Sequence, residues 1–363
     1  MKILFAPDSY KGTIGSVDAA LALRDGWASV RDGDELVLMP QADGGEGTLD
    51  VLAACTPGSR WSVARSVHGP DGRPVDARWL TLADGRAMIE LAEPSGIALM
   101  DELDAFGAGT RGLGEVIAAA RADRLSIALG GSASTDGGLG VLRALGLRVL
   151  DAAGADVPEG ATGLIAAATV DPSGLMSAPA DVELLTDTSA VLCGVSGAAH
   201  VFGPQKGASP DDVEVLDAAL AKWAELLAGA GLVADPDTPG VGAAGATAFG
   251  LCAWGAHIAP GAQRVSELTG LADATPTADL VVTGEGKFDR TSLTGKLVGH
   301  VVGSCQASGV RVAVVAGQVA HEMEVETLSL CEIAGSSEAA MSDTRAWLVE
   351  AGRRLAGAVP TRV

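Results

Sequence analysis

Thr283-Gly284-Glu285-Gly286-Lys287-Phe288-Asp289 follows directly on the apolar run Ala278-Asp279-Leu280-Val281-Val282. The run reads as a buried strand over 280–283, and the glycines as its exit. Glycine lets backbone N–H groups approach a ligand closely, and the acids beside it can ligate a metal ion or accept a hydrogen bond from a hydroxyl. In open α/β sheets, ligands sit at the carboxyl ends of the strands. Four more stretches have the same form: Ala6-Pro7-Asp8-Ser9-Tyr10-Lys11-Gly12, Ala42-Asp43-Gly44-Gly45-Glu46-Gly47-Thr48, Leu129-Gly130-Gly131-Ser132-Ala133-Ser134-Thr135-Asp136-Gly137-Gly138, and Thr186-Asp187. The expectation is a single site built from all five.

Working outward, strands at 3–6 and 35–39 alternate with helices at 16–30, where Ser16 is the expected N-cap, and at 48–54. This β-α-β-α opening predicts parallel strands joined by right-handed crossovers. Between 60 and 91 the pattern changes. Stretches at 61–68, 74–82 and 86–91, separated by Gly69-Pro70-Asp71-Gly72 and Asp84-Gly85, predict an antiparallel meander. Further helices are expected at 110–121, 139–145, 209–228 and 243–256, and strands at 126–129 and 182–185. Ser209-Pro210 supplies a cap with proline in the first turn. From 278 the β-α-β rhythm returns, with strands at 280–283, 310–316 and 332–334 and helices at 295–308 and 337–356. The expected fold class is α/β. A parallel-sheet, Rossmann/flavodoxin-like domain comes from both chain ends (1–60 and 270–363). A second α/β domain, inserted over 61–269, contains the meander, and the active-site cleft is expected between the two.

A chain of 363 residues with 48% hydrophobic content can bury a large core. The formal net charge of −21 argues against non-specific binding to nucleic acid or membrane surfaces. It leaves room for an anionic substrate held by a local group of lysines. The five cysteines are scattered without a C-x-x-C pair, so neither a zinc site nor a disulfide framework is expected. The apolar start at 3–6 is too short for a signal-peptide core, and no run reaches the ~18 apolar residues of a membrane span. Together these predict a cytoplasmic protein, and nothing in the pattern opposes a homodimer.

Gly240-Val241-Gly242-Ala243-Ala244-Gly245 has G-x-G-x-x-G spacing but no strand directly before it, so it reads as a glycine-rich helix entry and not a dinucleotide site. Gly295-Lys296-Leu297 lacks the hydroxyl and the earlier glycine of a phosphate-binding P-loop. Gly130, Gly131 and Ser132 offer successive N–H groups to phosphate oxygens, or form only a tight turn. Asp43 and Glu46, among three glycines, concentrate negative charge suited to Mg²⁺ or to sugar-acid hydroxyls. Lys206, in Phe202-Gly203-Pro204-Gln205-Lys206-Gly207, reads either as a partner for a carboxylate or phosphate or as a solvated lysine. The five histidines, His321 among them, are dispersed, and none is assigned to catalysis. There is no G-x-S-x-G elbow for acyl transfer.

Taken together, the five stretches, with Val201-Phe202-Gly203-Pro204-Gln205-Lys206-Gly207-Ala208, resemble the bacterial glycerate kinase family over nearly the whole chain. The resemblance implies an ATP- and Mg²⁺-dependent phosphoryl transfer to D-glycerate, giving a phosphoglycerate, most often the 2-phospho isomer. It implies small-molecule partners only. The site follows on the matching positions. Lys11 and Lys206 neutralise the substrate carboxylate or the transferring group. Asp187 accepts the proton of the attacking hydroxyl, with Asp8 as second choice. Glu285, Asp43 and Asp187 hold the metal. Gly130, Gly131, Ser132, Gly284 and Gly286 hold the nucleotide, and Ser9, Asp43, Gly44, Gly45, Glu46, Gln205 and Asp289 bind glycerate.

The chain departs from the family pattern after Asp187. Where the family usually reads Ser-Asp-Val-Asp-Asn-Pro-Leu, this chain has Thr186-Asp187-Thr188-Ser189-Ala190-Val191-Leu192. The first acid is kept, the second is Ser189, and the Asn is Ala190. Two alternatives follow: a kinase for another small hydroxy acid, or a non-catalytic homologue that binds a sugar acid or nucleotide.

Overall fold

The strands form a five-stranded sheet, a six-stranded sheet and a two-stranded hairpin. In the computed structural model, residues 1–293, 297–320 and 325–359 are described. The strands are β1 (Lys2–Phe5), β2 (Glu35–Leu38), β3 (Arg60–His68), β4 (Pro74–Thr81), β5 (Ala87–Glu90), β6 (Arg124–Ala128) and β7 (Arg148–Asp151). They continue with β8 (Ala167–Asp171), β9 (Asp181–Leu185), β10 (His257–Ala259), β11 (Leu280–Phe288), β12 (Arg311–Val319) and β13 (Glu326–Ser329). The chain divides into two compact units. The first comprises Met1–Asp43, Asp50–Pro57 and Ala262–Val363, and the second Gly44–Leu49 and Gly58–Gly261.

The first unit is a parallel sheet in the order β13-β12-β11-β1-β2, drawn from both chain ends. Counted by first appearance this is the order 2-1-3-4-5, with its switch point between β1 and β11. Successive residues face opposite sides. Ile3, Phe5, Val282 and Val315 join one apolar cluster, while Leu4, Val281 and Val314 join the other. Strands buried on both faces are the mark of a parallel sheet covered by helices. On one face, helix Ser16–Ala28 crosses helix Thr344–Ala358 at backbone contact. A Cβ on Gly26 would lie 1.9 Å from the carbonyl oxygen of Val349, and one on Gly352 would lie 2.2 Å from that of Leu23. Trp27 is fully buried there, edge-on to Phe5 with centroids 6.2 Å apart.

The second unit carries a mixed sheet, β10-β9-β6-β5-β4-β3, and a separate hairpin, β7-β8. Strands β3, β4 and β5 are antiparallel, the expected meander, whereas β5, β6, β9 and β10 run parallel. The strands of the parallel half all end on the same side.

Four local expectations are corrected. Strand β11 does not end at Thr283 but runs through Gly284-Glu285-Gly286 to Phe288, because β12 continues beside it and pairs Glu285 with Ala316 and Lys287 with Gln318. Gly15 is the N-cap residue of the first helix, and no side chain caps it. Residues 332–334 belong to helix Leu330–Ala334, which starts where Ser329 accepts the Glu332 N–H; the strand lies just before it, as β13. The last helix is two, Ser337–Ser342 and Thr344–Ala358, broken at Asp343, whose side chain caps the second. The helix expected from 295 is described as Leu297–Ser308; Gly295, Lys296 and His321 lie outside the described residues.

Gly26→Ala forces the two crossing helices apart and should cost about 1–3 kcal/mol, as overpacking does. Urea denaturation checks this; an unchanged midpoint would contradict the crossing.

Candidate active site

In the first unit, the loop after β1 lies against β11 at the switch point. The Asp8 N–H donates to the Gly284 carbonyl at 2.8 Å, which extends the β1–β11 ladder by one bond. Gly284 has no room for a side chain: a Cβ there would sit 1.9 Å from the Val315 oxygen and 2.4 Å from the Tyr10 hydroxyl. Tyr10, buried, donates that hydroxyl to the Val315 carbonyl at 2.6 Å. At Gly286, by contrast, a Cβ would meet nothing nearer than the Lys11 nitrogen at 3.7 Å. These contacts fix the Asp8–Lys11 loop over the sheet.

Asp8 is half-buried, and its pKa is pushed up to about 7. Burial is the largest cause, and the charges of Asp43 and Glu285 add to it. The Ser9 N–H and Lys11 pull the other way. Asp43, Glu285 and the exposed Lys11 all lie near enough to Asp8 to act on its carboxyl. An all-oxygen, net-negative set of this kind fits Mg²⁺. Asp289 is turned inward on its own loop, accepting from the Thr291 N–H at 2.9 Å and the Thr291 hydroxyl at 2.6 Å.

The second unit brings three of the sequence stretches to the ends of its parallel strands. Gly130 leaves β6 with its N–H donated to the Gly44 carbonyl at 3.3 Å, so that amide is already used within the protein. A Cβ on Gly130 would stand 2.4 Å from the Cα of Gly45. Gly44 has φ +84°, and a Cβ there would be 2.9 Å from the Leu185 side chain at the end of β9. The segment carrying Glu46, which is exposed, is tied down by Glu90 at the end of β5. Glu90 accepts from the Gly47 N–H at 3.0 Å and the Leu49 N–H at 3.3 Å. Sequence reading missed Glu90, because an acid closing a buried strand has no local signature.

The glycine/serine loop is internally braced. The Ser132 hydroxyl accepts the Ser134 N–H at 3.2 Å, and the Gly131 carbonyl accepts the Ile97 N–H at 2.7 Å. Asp136, fully buried, gathers the Thr110 N–H and hydroxyl at 2.9 and 2.7 Å, and the Gly138 and Gly140 N–H groups at 3.1 Å each. Burial pushes its carboxyl up, while these donors favour the carboxylate. Asp187, exposed at the end of β9, accepts the Gly261 N–H at 2.8 Å. Gln205 is exposed. Lys206 is not the solvated lysine of the alternative reading. It is 2% exposed, and its ammonium donates to the Ser134 carbonyl. Burial pushes its pKa down to about 7, opposed by the charge of Asp136.

Asp181, Glu183 and His257 bring ligand atoms within 4.8 Å of one another. They stand at the opening end of β9 and β10, away from Asp187. The buried Arg86 already bonds both acids, at 2.6 and 3.0 Å, and takes the place of a cation.

Because the folded pKa of Lys206 lies below its ordinary value of 10.5, the unfolded chain binds more protons between about 7 and 10.5. The burial penalty is complete below that window and fades as pH rises through it. The stability of the wild type relative to Lys206→Met should therefore increase with pH above about 7 and be flat below. Urea unfolding of both proteins across pH 6–10 checks this; a pH-independent difference contradicts it.

A sequence model of the glycerate kinase family matches residues 3–359. The glycerate kinase of Bacillus subtilis (strain 168) is 39% identical over 331 residues, covering 89% of this chain and 86% of that protein. The glycerate 2-kinase of Escherichia coli (strain K12) is 37% identical over 309 residues, covering 82% and 80%. A crystal structure assigned as glycerate kinase 2 from Salmonella typhimurium LT2 superposes with a TM-score of 0.82 at 33% identity, covering 98% of this chain and 97% of that one. With its strand-end loops in matching order and a family match across almost its full length, this chain belongs to the glycerate kinase family.

Proposed function

We propose that the protein transfers the γ-phosphoryl group of ATP to D-glycerate, with Mg²⁺, and that 2-phosphoglycerate is the product. The observation that carries this reading is the grouping of Lys11, Asp43 and Glu285 about Asp8 at the β1/β11 switch point, in a chain of this family. The named activities of the Bacillus and Escherichia relatives support glycerate as acceptor, and the latter supports the 2-position.

Phosphoryl transfer asks the protein for positioning and charge neutralisation more than for covalent help. Lys11, exposed beside the carboxylates, is the ammonium assigned to the substrate carboxylate or the transferring group. Asp43 and Glu285, both in the first unit, are the oxygen donors assigned to Mg²⁺. When bound, Mg²⁺ supplies neutralisation of the phosphate oxygens. Gly131, Ser132, Gly284 and Gly286 face the nucleotide in this reading, with Gly130 serving through its close approach to Gly45. Ser9, Gly44, Gly45, Glu46, Gln205 and Asp289 are assigned to glycerate. Asp187 takes the proton of the attacking hydroxyl, and Asp8 is the second choice. A second reading, another small hydroxy acid as acceptor, rests on the loop after Asp187. There Ser189 is exposed, and the Ala190 N–H is held by the Thr188 hydroxyl at 3.2 Å, with no acid at either position.

³¹P NMR of the product formed from ATP, Mg²⁺ and D-glycerate should show 2-phosphoglycerate. The 3-phospho isomer would overturn the regiochemistry, and faster turnover of a different hydroxy acid would favour the second reading. Asp187→Asn keeps an oxygen for the Gly261 N–H, so the fold should persist while kcat falls roughly 10²–10⁴-fold. Near-normal turnover would remove Asp187 from the mechanism.

A further inference from the structure

One segment of the second unit is strained. Ala244, Gly245 and Ala246 are consecutive left-handed residues, at φ/ψ of 55/42°, 62/43° and 64/15°. For an alanine this conformation costs roughly 1–2 kcal/mol. Two adjoining alanines keep it only if the surroundings over-determine it, which is where functional strain is stored.

The surroundings are the two strand-end loops. On one side the turn meets the glycine/serine loop. The Gly245 carbonyl accepts the Gly137 N–H at 3.1 Å, and a Cβ on Gly245 would lie 2.1 Å from the Ser134 oxygen and 2.6 Å from the Cα of Thr135. On the other side, the residues leading into the turn grip the loop that carries Asp187. The Gly240 and Gly242 N–H groups both donate to the Ala190 carbonyl, at 3.0 and 2.9 Å. A Cβ on Gly242 would stand 2.2 Å from the Val191 oxygen. The turn is closed by the Ala246 N–H on the Gly242 carbonyl at 3.1 Å and the Thr247 hydroxyl on the Ala244 carbonyl at 2.7 Å. The Ser134 carbonyl that Gly245 approaches is also the one that receives the Lys206 ammonium.

We propose that the left-handed turn 244–246, with Lys206, is a positioning device that holds the glycine/serine loop and the Asp187 loop at a set separation. The glycine-rich run at 240–245 thereby has a role that its dinucleotide-like spacing misstates. Lys206 is a positioning residue in this scheme, acting through the Ser134 carbonyl. The inference rests on the assignment of the glycine/serine loop to the nucleotide. A backbone shift of about 1 Å at such a loop is enough to cost up to about 10²-fold in a positioned reaction.

The test measures KM for ATP, KM for D-glycerate, and kcat in Gly131→Ala, Gly245→Ala and Lys206→Met, with the folded fraction of each followed by circular dichroism. Gly131→Ala tests the nucleotide assignment alone. It should raise KM for ATP, and if it does not, that assignment fails and the positioning proposal with it. Given that rise, Gly245→Ala, whose new methyl collides with the Ser134 carbonyl, should raise KM for ATP about tenfold or more with KM for glycerate within about twofold. Lys206→Met removes the other hold on the same carbonyl without a collision. It should raise KM for ATP in the same direction, and it decides the matter if Gly245→Ala does not fold. A fall in kcat that only tracks the folded fraction, with both KM values unchanged, would reduce the turn to packing and overturn the proposal.

Discussion

Gly130 and Gly45 touch backbone to backbone, and the second unit's site depends on that contact. The end of β6 and the segment after Asp43 meet at a distance that excludes a Cβ. The amide of Gly130 closes the joint on the Gly44 carbonyl. With Glu90 gripping the Gly47 and Leu49 amides from the end of β5, the strand-end loops become one layer over the sheet. Glycine in this layer is a steric requirement as well as a source of freedom. The fully buried Asp136 is held by backbone N–H groups and the Thr110 hydroxyl, and the almost fully buried Lys206 by the Ser134 carbonyl, which is how a buried charge is tolerated.

The first unit solves the same problem with strand order. In a 2-1-3-4-5 sheet the crossovers after β1 and β11 leave in opposite senses, and here the Asp8–Lys11 loop lies across that switch point. Burial raises the Asp8 pKa toward neutrality, and the charges of Asp43 and Glu285 add to it.

Glycines served different ends in stretches that look alike in the sequence. Gly284 and Gly286 read as a loop, yet both lie in β11, and only Gly284 is sterically obliged to lack a side chain. The G-x-G-x-x-G run leads into the left-handed turn at Ala244, Gly245 and Ala246 and has no strand before it. Lys206 also read as a surface turn residue, and it is buried with its ammonium on the Ser134 carbonyl. In each case the decisive partner, Val315, Ala190 or Ser134, is far away along the chain.

The alternation of short apolar runs with amphipathic segments, and the glycine- and acid-rich residues directly after those runs, were legible in the amino-acid order alone, because strand and helix periodicity and turn chemistry are local properties. The α/β class, the antiparallel stretch after Arg60 and the chemical character of the strand-end loops follow from them. Which strand runs on past its glycines, which lysine is buried, which acid ties down the Gly44–Leu49 segment and which backbone is strained were decided only by tertiary structure. Those outcomes depend on close approaches between residues tens to hundreds of positions apart, and no local pattern encodes such distances.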